Sequence, residues 1–95
     1  VGIPTQFTVK QNYPNPFNPS TKIDFALPKD GNVKLTVYDN SGKLVATLAD
    51  GFKVSGYYSI NFNASNLSSG IYFYKVEFNN GSESVFKVNK MLLVK

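Results

Sequence analysis

The sequence predicts an all-β fold, an antiparallel sandwich of about seven strands. Three observations carry this reading. Apolar and polar residues alternate along most of the chain, which is the mark of strands with one buried face. Clusters of Gly, Pro, Asn, Asp and Ser interrupt the alternation every 8–12 residues or so, the spacing of immunoglobulin-like sandwiches. No segment shows a helical period, an internal repeat or low complexity.

A short first strand is predicted near Phe7 and Val9. Ile23, Phe25 and Leu27 alternate with Lys22, Asp24 and Ala26, giving a second strand. Pro28 to Asn32 is a turn by composition, and Val33, Leu35 and Val37 mark the strand after it. Asp39-Asn40-Ser41-Gly42 is the next turn, followed by a strand from Lys43 to Leu48. Ala49 to Gly56 holds two glycines and reads as a longer loop. Tyr58, Ile60 and Phe62 share one face of a further strand. Ile71 to Phe78 is a long aromatic strand with Tyr72, Tyr74, Val76 and Phe78 facing inward. Asn80-Gly81 predicts a type I′ hairpin, whose two central residues both need positive φ.

The last strand runs from about Glu83 to Val94, and its parity changes along its length. Phe86 and Val88 share one parity, Met91 and Leu93 the other. A bulge near Asn89-Lys90 would turn both pairs inward, since one extra residue switches the face. Leu67, Gly70 and Tyr72 form the pattern of a tyrosine corner. The Tyr hydroxyl there bonds backbone a few residues upstream and pins the crossing between sheets.

Composition removes several classes of function. The 95 residues allow one domain, and 42% hydrophobic content supports a modest core. There is no Cys and no His, so Cys nucleophiles, Cys/His zinc sites and His-based triads are excluded. No apolar run approaches the ~18 residues of a membrane helix. The chain starts at Val1 without a signal-peptide pattern, so the expectation is a piece of a longer protein, with any signal upstream. Net charge is +4, but every basic residue is Lys and they are spread evenly. Nucleic-acid readers rely on Arg for bidentate contacts, so this is a solubilising surface and no nucleic-acid partner is expected. The carboxylates are scattered and no Asp-x-Asp loop suggests calcium. No strained elbow surrounds any serine. The expectation is a non-enzyme without cofactor. Three Asn-x-Ser triplets, at Asn63, Asn66 and Asn80, read as polar turns.

Tyr13-Pro14-Asn15-Pro16-Phe17-Asn18-Pro19 stands out. Three prolines in six residues fit neither a helix nor a central strand. The run is either a rigid, recognised hinge or an edge segment that covers the sandwich with Tyr13 and Phe17. The tail Lys90 to Lys95 is apolar and basic, and reads either as a displayed strand or as the last core strand. Phe52, Tyr57 and Phe73 are candidate exposed aromatics, as a carbohydrate-binding module would use.

Four stretches in order, Tyr13 to Ile23, Val37 to Val45, Ser69 to Tyr74 and Lys90-Met91, together resemble the C-terminal sorting domains of the bacterial type IX (Por) secretion system. The resemblance runs from about Gln6 to Lys95. It implies a seven-stranded immunoglobulin-like domain over 13–95, after a linker and short first strand over 1–12. It implies secretion through the periplasm and outer membrane to the surface or medium of a Bacteroidetes-like cell. The implied partners are a covalently attached N-terminal passenger, the outer-membrane translocon, and a sortase-like peptidase that cuts ahead of Tyr13 and anchors the passenger. The implied recognition residues are Pro14, Asn15 and Pro16; Gly70 and Tyr72; and Lys90, Met91, Leu92, Leu93, Val94 and Lys95. Phe86 to Asn89 is less basic than the family leads one to expect. A looser likeness, in the middle of the chain, is to the immunoglobulin-like domain of flagellar hook-capping proteins. An accessory carbohydrate-binding or spacer module is the alternative function.

Overall fold

The computed structural model describes residues 4–95. Seven antiparallel strands form two sheets, and no helix occurs among the described residues. The strands are β1 (Thr8–Val9), β2 (Ser20–Leu27), β3 (Gly31–Asp39), β4 (Leu44–Lys53), β5 (Gly56–Asn63), β6 (Gly70–Asn79) and β7 (Ser84–Leu93). One sheet has the order β1-β2-β5, the other β4-β3-β6-β7. This is the all-β immunoglobulin-like sandwich expected from the alternation.

The core is built from the alternating residues. Ile23, Phe25 and Leu27 of β2 face Val33, Leu35 and Val37 of β3 and Tyr72, Tyr74, Val76 and Phe78 of β6. All are buried. Phe25 stacks on Tyr58 with ring centroids 5.4 Å apart, and Phe7 stacks on Phe78 at 6.1 Å. The tyrosine corner is present: the Tyr72 hydroxyl donates to the Ser68 carbonyl at 2.7 Å, where the chain crosses from β5 to β6. The Asp39 turn is closed by its own side chain, whose Oδ1 accepts from the Ser41 hydroxyl and from the Ser41 and Lys43 amides. The Ser41 bond is foremost in holding the Asp39 carboxyl below its ordinary pKa. Asn63 and Asn80 cap turns in the same way, each accepting from the amide two residues on.

Three expectations are corrected. The first concerns Ala49 to Gly56, which is mostly strand: β4 continues to Lys53 and pairs with β3 as far as Gly31. The register slips twice, leaving Leu48 and Val45 as extra residues. Each slip shifts the parity, which hides the strand from a period-2 reading. The second concerns Asn80-Gly81. Of the two, only Gly81 takes positive φ (92°), and among the described residues none other than glycine does so, so the turn is not type I′. The loop is held instead by Asn80, whose amide donates to the Glu83 carbonyl and whose Oδ1 accepts from Glu83.

The third correction concerns β7. Its pairing with β6 runs without a slip from Gly70↔Leu93 to Asn79↔Ser84, so there is no bulge. Met91 and Leu93 are buried, while Phe86 (59%) and Val88 (49%) are exposed on the opposite face. The reason is geometric. Only the last part of β7 lies over the core, and earlier along the inward parity Lys87 is exposed. The Phe86 ring lies under Lys75, whose Nζ is 4.9 Å from the ring centroid.

This register makes a clear prediction for urea unfolding. Met91→Ala is expected to cost about 2–5 kcal/mol. Phe86→Ser is expected to stay within about 0.5 kcal/mol of the parent, as for surface sites generally. A bulged strand would make both costly.

Candidate functional site

The proline run is a strap that closes one side of the sandwich. It leaves β1 with the Lys10 amide bonded to Asp24 O (2.9 Å). Tyr13 and Lys22 exchange backbone hydrogen bonds, both at 3.0 Å. The strap then crosses to the other sheet, where the Phe17 amide donates to Leu92 O (2.9 Å) and the Val94 amide donates to Phe17 O (3.0 Å). Phe17 thus forms a parallel bridge with Leu93 on the free edge of β7. At its end, Pro19 O accepts from the Ala64 amide. The peptide bonds before Pro14, Pro16 and Pro19 are cis.

Phe17 is a core residue, 2% exposed, its ring centroid 6.2 Å from that of Phe62. Tyr13 is 81% exposed, so the expectation that both aromatics cover the sandwich holds for Phe17 and fails for Tyr13. Tyr13 sits where the strap's backbone is paired to β2, and its ring is left on the outside.

The strap is held by a buried polar network that no sequence pattern marks. Asn12 is 2% exposed. Its amide donates to the Tyr74 hydroxyl (2.9 Å), and its Nδ2 donates to Thr21 Oγ1 (3.0 Å) and Pro14 O (3.2 Å). Its Oδ1 accepts from Gln11 Nε2. The Tyr74 hydroxyl donates to Lys10 O (2.7 Å) and accepts from Asn89 Nδ2 (3.1 Å). Burial pushes the Tyr74 hydroxyl above its ordinary pKa of 10.0, against the opposing hydrogen bonds from Asn89 and Asn12.

The predicted recognition residues gather at one end of the molecule. Asn15 Oδ1 accepts the Leu92 amide at 3.0 Å, and Gln11 Nε2 donates to Lys90 O at 2.7 Å. Gly70 is paired with Leu93 and Tyr72 with Met91. The Lys95 amide donates to Ser69 Oγ (2.9 Å) and its Nζ to Ser65 O (2.6 Å). A cleft of about 200 Å³ is lined by Asn15, Ile71, Lys90, Met91 and Leu92, so strap, β6 and tail contribute to one surface. Gly70 has φ 152°, which side chains rarely adopt, although the space around it is open. A side chain there is opposed by backbone strain, not by crowding.

Within this cluster the roles divide by burial. Met91, Leu93 and Tyr72 are core side chains. Pro14, Asn15, Pro16, Lys90, Leu92, Val94 and Lys95 are exposed. The surface is apolar and cationic, and among the described residues no group of His, Cys, Asp or Glu could hold a metal. Such a surface can bind a partner. Gln11, Asn12, Ser69 and Asn89 are the contributors that sequence reasoning missed, because polar residues show no periodicity.

A family model described as "Secretion system C-terminal sorting domain" matches residues 11–91. The match begins inside the strap and ends at Met91. Among solved structures, the chain is similar to dimeric latent PorU from Porphyromonas gingivalis, with a TM-score of 0.72 and 19% identity. That likeness covers 94% of this chain and 9% of the other, and at this identity it speaks for the fold. No curated protein matches the sequence.

Tyr74→Phe leaves the Asn12 amide and Lys10 carbonyl without their partner and is expected to cost about 1–3 kcal/mol in urea unfolding. Because the folded Tyr74 has the higher pKa, its neutral form is favoured by folding; this contribution is intact below the ordinary pKa and is lost as pH rises above 10. The parent should therefore lose stability there faster than Tyr74→Phe. Asn15→Ala should speed hydrogen exchange at the Leu92 amide and leave the Val76 amide, in the middle of β6, unchanged.

Proposed function

The chain belongs to the family of secretion system C-terminal sorting domains, those of type IX secretion, and from that premise we propose that strap and tail are read together as one recognition surface. Domains of this family are sorting signals, and membership implies delivery to the cell surface or beyond. They are non-catalytic in general.

The observation that carries the proposal is the cleft shared by Asn15, Ile71, Lys90, Met91 and Leu92. Residues 77 positions apart in sequence meet there, because the Leu92 amide is bonded to Asn15. The signal is then conformational. Asn15, between Pro14 and Pro16, and Phe17 hold the tail edge, Gly70 and Tyr72 set the strand beside it, and Met91 and Leu93 anchor it in the core. Lys90, Leu92, Val94 and Lys95 form the face that the outer-membrane translocon contacts. Further along β7 the outer edge is not covered by the strap, and an extended partner segment could pair there.

The same reading covers removal of the domain. A sortase-like peptidase needs exposed, unbonded backbone. From Phe7 to Asn12 the chain is packed or bonded into the sandwich, whereas Thr5 and Gln6 are exposed. We place the cut ahead of Phe7, between domain and passenger, with anchoring of the released passenger as the following step.

The test is export of a fluorescent passenger fused to the whole chain in a host with type IX secretion. Deleting Met91 to Lys95 should abolish export, but it also removes two core side chains. The decisive variant is Leu92→Ser with Val94→Ser, which alters exposed side chains only. It is expected to unfold at the parent's urea midpoint and yet to leave the passenger inside the cell. Parental export by this variant would sink the composite-surface reading.

A further inference from the structure

The outer face of the β1-β2-β5 sheet carries a second cleft, away from the strap and tail. Two cross-strand rows form it. In one row Thr8, Ala26 and Tyr57 lie side by side. In the next, Lys10 bonds through its amide to Asp24, which is paired with Ser59. These six residues line a cavity of about 250 Å³. Residues alternate faces along a strand, so Asp24 and Ala26 point outward while Ile23, Phe25 and Leu27 fill the core.

Each member brings a distinct property. Ala26 is small and forms a low floor between taller neighbours. Tyr57 is 61% exposed and presents a flat, amphipathic ring. Asp24 Oδ1 is buried and accepts no hydrogen bond, and among the described residues it is the single buried side-chain polar atom in that condition. An orphaned buried acceptor of this kind requires an explanation in a well-packed fold. Lys10 shares its row, yet no ion pair joins the two. The cleft thus holds an acceptor and a donor that the protein does not use on each other.

We propose that this cleft binds a neutral sugar ring. The C–H face of the ring lies against Tyr57 over Ala26. Adjacent hydroxyls donate to the Asp24 carboxylate and accept from the Lys10 ammonium, with the Ser59 and Thr8 hydroxyls at the two sides. The charges select this class. An anion meets Asp24, a cation meets Lys10, and an apolar ligand leaves both without partners in a drier setting. A neutral polyol satisfies both at once. The volume lies below that of drug-sized pockets, which suits one or two rings. Asp24 Oδ1 is closed to solvent in the free protein, so binding requires a shift of the side chains around it while Tyr57 stays as the platform. The other candidate aromatics do not contribute: Phe52 is on β4 and Phe73 on β6, both in the opposite sheet.

The experiment is a proton–nitrogen NMR titration of the whole chain with maltohexaose, cellohexaose, mannohexaose and chitohexaose in turn. At least one is expected to give saturable shifts at the amides of Thr8, Lys10, Asp24, Ala26, Tyr57 and Ser59. Tyr57→Ala and Asp24→Asn should each weaken that binding about tenfold or more, the loss of one aromatic or charged contact. Phe52→Ala should leave it unchanged. No saturable shift with any of the four, shifts centred elsewhere, or binding that survives both substitutions would overturn the proposal. Undisturbed β6 and β7 resonances in each variant establish that it is folded.

Discussion

The Tyr74 hydroxyl is the constraint on which this arrangement depends. It sits at the end of a wholly buried ring and meets three polar groups, from Lys10, Asn12 and Asn89. Those groups belong to the end of β1, the start of the strap and the middle of β7. One side chain from β6 therefore fixes the relative placement of three segments. A buried polar network of this sort specifies a single geometry because each alternative leaves a group unsatisfied. Asn12 extends the network to Thr21 and Pro14, and so aims the strap across the open side of the sandwich.

Once aimed, the strap solves the problem of an exposed sheet edge. A free edge strand is a template for pairing with other chains, and proteins cover or charge such edges. Here Phe17 pairs with the end of β7 and buries its ring beside Phe62, so one residue both caps the edge and completes the core. The remaining edge carries the exposed Lys87, which blunts it by charge. Edge protection and signal display are consequently the same structure: the residues that close the sandwich are those that present the tail. A peptide of the tail alone lacks Asn15 and Gln11, and so lacks the shape in which Leu92 and Lys90 are held.

The two sheets divide the molecule's chemistry. The four-stranded sheet, with the strap on its edge, carries an apolar and cationic surface joined to the chain terminus. The three-stranded sheet carries the cleft around Tyr57 and Asp24, where acidic, basic and aromatic groups stand in two rows. Because inward and outward residues alternate along the same strands, β2 can build the core with Ile23, Phe25 and Leu27 and leave Asp24 and Ala26 for binding.

Local physics determined much of this protein in advance. Period-2 alternation identified the inner faces of β2, β3 and β6, since burying one face of a sheet forces that pattern. The spacing of Leu67, Gly70 and Tyr72 identified the tyrosine corner, since a hydroxyl reaching back four residues is a short-range bond. The motifs in Tyr13 to Ile23, Val37 to Val45, Ser69 to Tyr74 and Lys90-Met91 identified the family. Tertiary structure decided the rest. Gly51 and its neighbours in β4 are strand because β3 supplies their hydrogen bonds, and two register slips conceal the alternation. The first half of β7 faces solvent because the opposing sheet is one strand narrower, so Phe86 and Val88 needed no bulge. Asn12, an unremarkable polar residue in sequence, is buried because Tyr74, 62 positions away, receives its amide. Partners that distant are set by how the sheets pack, and no local pattern encodes them.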